Sequence, residues 1–395
     1  MVEKNFSLIV VENSKHVKQF LDLPSAVHEN EKYWIRPLDD EIEKVFDRSK
    51  NKLFKTGDAI RWLLVDNNKK VVGRIAAFYD KRSAAKNDQP TGGVGFFECI
   101  NDRQAAHSLF DAGKEWLRGK GMEAMDGPVN FGDRNNFWGC LIDGFDKEPV
   151  FNMPYNPEYY KELFESYGFQ NYFNQYTYHI DTKGGVRSPV LREKGKRLLK
   201  NKDYTFRTIK GMSDDEIADA YVTIYNKAWA SFPGVPKVRR QHAKAILNAI
   251  KPILDHRTFI YGFYKDEPVV FYIMVPDLNQ MIYDFNGKMN LFNKLKLFYR
   301  LKVAKKSTRL IGLIFGVVPE HQGKGVESAI LLRFEREIRD EGFPYTDLEM
   351  NWIGDFNPVM MKFVQQIGGK IHKTHVTYRY LFDRNKEFKR ARKSI

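Results

Sequence analysis

Cysteine, long apolar runs and recognisable nucleophile or metal constellations are what this chain has least of. Two cysteines, Cys99 and Cys140, occur in 395 residues. That excludes a disulfide framework and a thiolate metal site, and it points to a reducing, cytoplasmic setting. No stretch approaches the ~18 consecutive apolar residues of a membrane-spanning helix. The opening MVEKNFSLIV also lacks the basic-then-apolar pattern of a secretory leader. No Cys–His or Ser–His–Asp arrangement is evident, so covalent catalysis has no sequence support, and no metal ligand set is expected.

What is present is a long, basic, aromatic-rich chain. Its 395 residues, 43% hydrophobic and 14% aromatic, exceed one ordinary core and predict two domains of about 200 residues each. Sixty-four Lys and Arg against 50 Asp and Glu leave a net charge of +14. Such a field favours an anionic partner: nucleic acid, an anionic lipid surface or a polyanionic small molecule. No DNA- or RNA-binding signature appears, so no specific nucleic acid is expected. Residues 287–309 carry eight Lys and Arg and no acid, interleaved with Leu291, Phe292, Leu295, Leu297, Phe298, Leu301 and Val303. Such a helix either lies in an anionic membrane interface, peripheral on the inner face, or packs its apolar side on the core. Residues 385–395 read as a loosely ordered basic tail with Lys386, Lys389, Arg390, Arg392 and Lys393.

Val317-Val318-Pro319-Glu320-His321-Gln322-Gly323-Lys324-Gly325-Val326 predicts a strand end, a glycine turn and a helix. That helix places Val326, Ile330, Phe334 and Ile338 on one stripe. A glycine turn opening a helix aims unpaired N–H groups outward at the positive end of the helix dipole, which suits a phosphate or pyrophosphate. The segment resembles the acyl-CoA pyrophosphate loop of the GNAT superfamily, Gln/Arg-x-x-Gly-x-Gly/Ala after a strand ending in Val-x-Pro. Gln322 and Gly325 match it, while Glu327 stands where Gly or Ala is usual and brings a negative charge. The resemblance implies that acetyl-CoA or acyl-CoA is held by Val317, Val318, Gln322, Gly323, Lys324, Gly325 and Val326, with Asn357 nearby.

The chain also repeats itself. Asn156-Pro157-Glu158-Tyr159-Tyr160-Lys161 aligns with Asn357-Pro358-Val359-Met360-Met361-Lys362 at a constant offset of 201, and Gly168 and Gly369 keep the register. Each segment reads as an Asn-Pro helix start running to a glycine, then an aromatic strand, at 172–180 and 374–382. Two copies of one α/β unit follow from this, at residues 1–182 and 203–384, separated by a Gly-, Lys- and Arg-rich linker over 183–202. Strands are predicted at 6–11, 59–66, 71–79 and 94–100 in the first copy, and at 204–209, 258–264, 269–275 and 310–318 in the second. Helices are predicted at 103–118, 214–229 and 239–254. The first copy carries about twenty extra residues between its fifth strand and its Asn-Pro helix.

Gly127-Pro128-Val129-Asn130-Phe131, Pro276-Asp277-Leu278-Asn279-Gln280 and Glu349-Met350-Asn351-Trp352 extend the resemblance over most of the chain. Together they resemble a tandem GNAT-like acyltransferase group that includes bacterial ceramide synthases. The implied fold is α/β (α+β), two mixed sheets flanked by helices. The implied reaction is transfer of an acyl group from a thioester to an amine, with a long-chain sphingoid base as one acceptor. A small polar amine or amino acid is the alternative acceptor, and a non-catalytic acyl-CoA-binding protein the alternative class.

Amine attack on a thioester needs a proton acceptor and stabilisation of the oxyanion. GNAT enzymes commonly place a carboxylate on strand four and a tyrosine after the Asn-x-x helix. Residues 310–318 hold no carboxylate, and Val364 or Gln365 fills the tyrosine slot, as Phe164 does in the first copy. Glu349, on the predicted fifth strand, is therefore the leading candidate base, with Asp277 the second catalytic candidate. Asn130, Asn279 and Trp352 are the expected substrate contacts, and His321 reads as a solvated loop histidine. The first copy has Asn101-Asp102-Arg103-Gln104 in place of the glycine loop, so the donor is expected in the second copy, with the first walling the acceptor cleft.

Overall fold

The structure, a computed structural model, describes residues 5–86, 89–228 and 237–391; Trp229, Arg392 and Lys393 lie outside them. The first repeat runs β1 (Ser7–Val10), α1 (Ser14–Val27), α2 (Asp39–Phe46), β2 (Gly57–Val65), β3 (Val71–Asp80), the single turn α3 (Lys81–Ala84), β4 (Thr91–Cys99), α4 (Arg103–Gly119), β5 (Ala124–Gly127), β6 (Cys140–Asp143), α5 (Tyr160–Tyr167) and β7 (Gln170–Asp181). Helix α6 (Pro189–Leu199) connects it to the second: β8 (Tyr204–Thr208), α7 (Asp214–Ala228), α8 (Arg240–Ile250), β9 (Phe259–Tyr264), β10 (Glu267–Pro276), the single turn α9 (Asn279–Ile282), α10 (Leu291–Phe298), β11 (Arg309–Val317), α11 (Val326–Ile338), β12 (Asp347–Gly354), α12 (Pro358–Gln366) and β13 (Lys370–Leu381).

The tandem α/β reading holds, but the two expected sheets are one. Strands run in the order β1-β2-β3-β4-β5-β13-β7-β12-β11-β10-β9-β8, with β6 continuing alongside β13 where β5 stops. Parallel pairing occurs at β4–β5 and β11–β12. The join arises because the repeats exchange their last strands: β7 lies against β12, and β13 lies against β5. Each repeat keeps its own apolar core, one around Ile260, Phe271 and Ile330, the other around Ile75, Leu109 and Phe110. A smaller cluster of Val150 and Met153 with Val275 and Ile311 bridges them.

Several local expectations shift for identifiable reasons. β13 begins four residues earlier than its polar start Lys370-Ile371-His372-Lys373 suggested, because it pairs with β7 throughout. The stretch expected as a linker contains α6, whose Gly195 meets the backbone of Ser328 so closely that a Cβ there would lie 2.9 Å from the Ser328 carbonyl. Gly195 therefore serves helix packing rather than chain flexibility. The two Asn-Pro starts also differ. Asn357 caps α12 by accepting from the Met360 N–H (3.2 Å), whereas Asn156 is bound to Leu141 on the inserted strand β6, accepting its N–H at 2.7 Å. Helix α5 consequently starts only at Tyr160.

Candidate active site

The two copies of the central strand pair meet different fates. In the second repeat β11 and β12 pair only from Arg309–Asp347 to Gly312–Met350, then part. Leu313 is bulged out of the β10 register at that point and is 37% exposed, although its strand lies in the middle of the sheet. Ile314 and Phe315 beyond it are half-buried. β11 thus lines an open cleft leading toward the glycine turn and α11. Bulges beside active sites commonly re-aim strand groups in this way.

At the turn, Gly323 (φ 71°) and Gly325 (φ 95°) are both left-handed, a conformation that glycine adopts at no steric cost. Gly325 is the N-cap of α11 and no side chain caps that helix. The Gln322 amide donates to the Val317 carbonyl at 3.0 Å, tying the turn to the strand end. Glu327 turns back and accepts from the Gly323 N–H at 3.1 Å. The turn fits an anion, and an acidic side chain of the chain itself takes one of the donors that a phosphate would use. His321 is not simply solvated: its Nδ1 lies 2.7 Å from the Tyr204 hydroxyl.

In the first repeat the same cleft is filled. β4 and β5 part after Gly93–Asp126, and the inserted chain enters the gap. The Val129 N–H donates to the Val94 carbonyl at 2.8 Å. A Cβ on Gly95 would fall 1.8 Å from the Val129 carbonyl oxygen. The helix that follows, α4, is capped by Asp102, which accepts from the Ala105 N–H at 3.0 Å. A cavity of about 80 Å³ remains beside the plug, walled by Trp34, Phe96, Phe137 and Tyr155 and floored by Glu98.

Beside the open cleft lies a buried cluster of charge. Glu349, 1% exposed, pairs with Lys373 Nζ at 2.6 Å through Oε2. Its Oε1 has no hydrogen-bond partner among the described residues; Arg309 Nε stands 3.5 Å away and His372 Nε2 3.7 Å. Lys373 also donates to the Glu148 carbonyl at 2.7 Å, reaching into the first repeat. Burial disfavours the Lys373 ammonium and lowers its pKa despite Glu349. Burial works against the Arg309 charge too, but Glu349, Asp277 and Glu148 outweigh it and raise its pKa. Burial lowers His372 to about 4, so its imidazole is neutral near pH 7.

Asp277 joins this cluster, yet most of its capacity is spent on architecture. Its Oδ1 accepts from the N–H groups of Phe151 and Asn279, each at 3.0 Å, and Oδ2 lies 3.3 Å from Arg309. Burial pushes its pKa up to about 6. Asn279 is likewise committed, donating to the Pro149 carbonyl at 2.8 Å. These two residues clamp the inserted loop of the first repeat. Asn130 lies in the plug, donating to the Asp133 carbonyl at 3.3 Å. Trp352 donates to the Arg134 carbonyl at 3.0 Å and stacks on Phe173. Asn357, expected at the donor, has its side-chain oxygen engaged in capping α12.

Arg309, His372, Lys373 and Glu148 were missed by sequence reasoning. His372 and Lys373 fell just outside the strand expected at 374–382, so no sequence signal marked them as buried. β13 shifts register between Ile371 and Lys373, leaving His372 at the irregularity, and Lys373 is buried.

No protein-family model matches the chain. Protein YghO of Escherichia coli is 26% identical over 375 residues, covering 93% of each chain. The bacterial ceramide synthase of Caulobacter vibrioides is 25% identical over 381 residues, covering 95% of this chain and 97% of its own. Among solved structures, a tandem GNAT protein from the clavulanic acid biosynthesis pathway superposes with a TM-score of 0.54 at 11% identity, over 97% of this chain and all of its own. A glucosamine N-acetyltransferase region in a fungal multi-domain β-N-acetylglucosaminidase gives a TM-score of 0.56 at 12% identity; the match covers 96% of this chain and 38% of that longer one. The chain thus has the fold of the tandem GNAT structures and is similar over nearly its whole length to the bacterial ceramide synthase and to YghO.

Proposed function

We propose that this chain is an acyl-CoA-dependent N-acyltransferase, with the donor in the second repeat and a long-chain amine of the sphingoid-base class as acceptor. The observation that carries the reading is the contrast between the two central clefts. One is open and ends at a helix without a side-chain cap; the other is filled by Val129 and ends at a helix capped by Asp102. Beside the open one sits a buried carboxylate oxygen without a hydrogen-bond partner among the described residues.

The donor's pyrophosphate would lie on the N–H groups of residues 322–326, displacing the Glu327 carboxylate from Gly323. Its pantetheine arm would run along Leu313 to Phe315, and the thioester carbonyl would face a backbone N–H near the bulge at Leu313. The acceptor arrives as an ammonium and must lose a proton before its nitrogen can attack. Glu349 Oε1 takes that proton, directly or through a water, with neutral His372 beside it. Attack forms the carbon–nitrogen bond and a tetrahedral adduct; that adduct gives up a second N–H proton, and carbon–sulfur cleavage releases the thiolate, which that proton converts to the thiol. Lys373 and Arg309 hold the carboxylate in place.

Purified protein given long-chain acyl-CoA with a sphingoid base should release free thiol and form amide, while short polar amines should be poor acceptors. Glu349→Gln should lower turnover by about a hundredfold to ten-thousandfold and leave acyl-CoA affinity nearly unchanged, with partial rescue at high pH. Turnover within a factor of about two of the parent would remove Glu349 from the base role, since base removal costs far more.

A further inference from the structure

Helix α10 is inside out. Leu291, Phe292, Leu295, Phe298, Tyr299 and Val303 point away from the protein and are between 56% and 75% exposed. The face turned inward carries charge beside a single packed leucine: Lys296 Nζ meets Asp284 Oδ2 at 2.6 Å, Arg300, 6% exposed, donates to both Asp284 oxygens at 2.7 and 2.9 Å, and Leu297 rests on Leu38, Ile282 and Phe285. A surface helix of a soluble protein does the reverse. The apolar stripe is therefore built for something other than this chain's own core.

The segment is also an insertion. β10 and β11 are adjacent antiparallel strands, which a turn of about two to five residues would join; here residues 277–308 intervene. They leave and return at one point, where the Asp277 N–H donates to the Arg309 carbonyl at 2.9 Å and the Arg309 side chain reaches Asp277 and Glu349. The exposed helix is thus rooted in the charge cluster beside the cleft.

We propose that α10 and the turn after it form a docking surface for an anionic lipid bilayer. Charge selects this occupant. Lys294, Lys302, Lys305 and Lys306 border the apolar stripe and are exposed, and residues 287–309 contain no acid. A second copy laid on the same face would bring its own lysines against these, a like-charge arrangement that disfavours self-association. Anionic headgroups attract the lysines while Leu and Phe enter the acyl boundary. The role given to the contact, delivery of a long-chain amine, rests on the proposed function; the contact itself does not.

The full-length protein is tested without substrates, by co-sedimentation with phosphatidylcholine vesicles that contain or lack phosphatidylglycerol. Binding should require the anionic lipid and weaken as salt is raised. Leu295→Ser with Phe298→Ser should lower the partition coefficient at least about tenfold. So should Lys302→Gln with Lys305→Gln and Lys306→Gln, at an unchanged thermal unfolding midpoint, since all these side chains are exposed. Three results would overturn the proposal: equal binding to both vesicles, unaltered binding by the variants, or a concentration-dependent dimer abolished by the Leu295/Phe298 pair. Vesicle binding without acyl transfer on any amine would sink the proposed function alone. Acyl transfer without vesicle binding would sink the docking surface alone.

Discussion

Asp277 allows burial and ion pairing to be weighed against each other. The carboxyl is fully buried and lies 3.3 Å from Arg309, whose charge favours the ionised form, while burial opposes it. Burial wins, moving the pKa from 3.8 to about 6. An acid whose pKa is higher folded than unfolded binds more protons in the folded state between those two values, so its contribution to stability falls as pH rises through them. A rise of that size corresponds to about 3 kcal/mol. Asp277→Asn keeps an oxygen for the Phe151 and Asn279 N–H groups but does not titrate. Urea unfolding of the parent and the variant across this range supplies a difference curve in which other titrating groups largely cancel. The parent should lose about 3 kcal/mol relative to the variant between about pH 4 and pH 6, with the curve flat on either side. A difference that is flat throughout, or that grows in the parent's favour with pH, would mean that Arg309 outweighs burial and would refute the reasoning.

Two further outcomes test the donor site. Gly325→Glu puts a side chain on a residue at φ 95°, with its Cβ 3.2 Å from the Lys194 carbonyl, and a negative charge at the helix start; calorimetry should find CoA affinity reduced by about tenfold or more, and unchanged affinity would remove the loop assignment. Glu327→Ala frees the Gly323 N–H and removes a competing charge, so CoA should bind about three- to tenfold more tightly. Equal or weaker binding would show that this carboxylate does not compete with phosphate.

Local features were the legible ones. The glycine turn, the helix stripe from Val326 to Ile338 and the second Asn-Pro helix start each depend on a few neighbouring residues, and each lies where the spacing put it, whereas the first Asn-Pro start is drawn off by Leu141. Glu349 could be singled out because carboxylates on its strand are few. Its partners could not be, because Lys373 and Arg309 are charges that ordinary patterning assigns to the surface, and only the strand exchange carries β13 to Glu349. The plug in the first cleft was equally hidden, since Val129 and Phe131 read as apolar whether they fill a core or a channel. For α10, composition left open whether its apolar side packs on the core; Leu291, Phe292, Leu295 and Phe298 are exposed instead.

The exchange of β7 and β13 has a consequence for how the polypeptide is made. As the chain leaves the ribosome, the edge of β5 must wait for β13, more than 240 residues later. Until then the nascent first half presents an unpaired strand edge, the kind of surface through which partly folded chains join one another. The same late strand delivers Lys373 and His372 to Glu349. A truncated product that stops short of residue 370 would therefore lack both its sheet closure and its charge cluster. The closed sheet edge and the completed charge cluster arrive together, once β13 has been made.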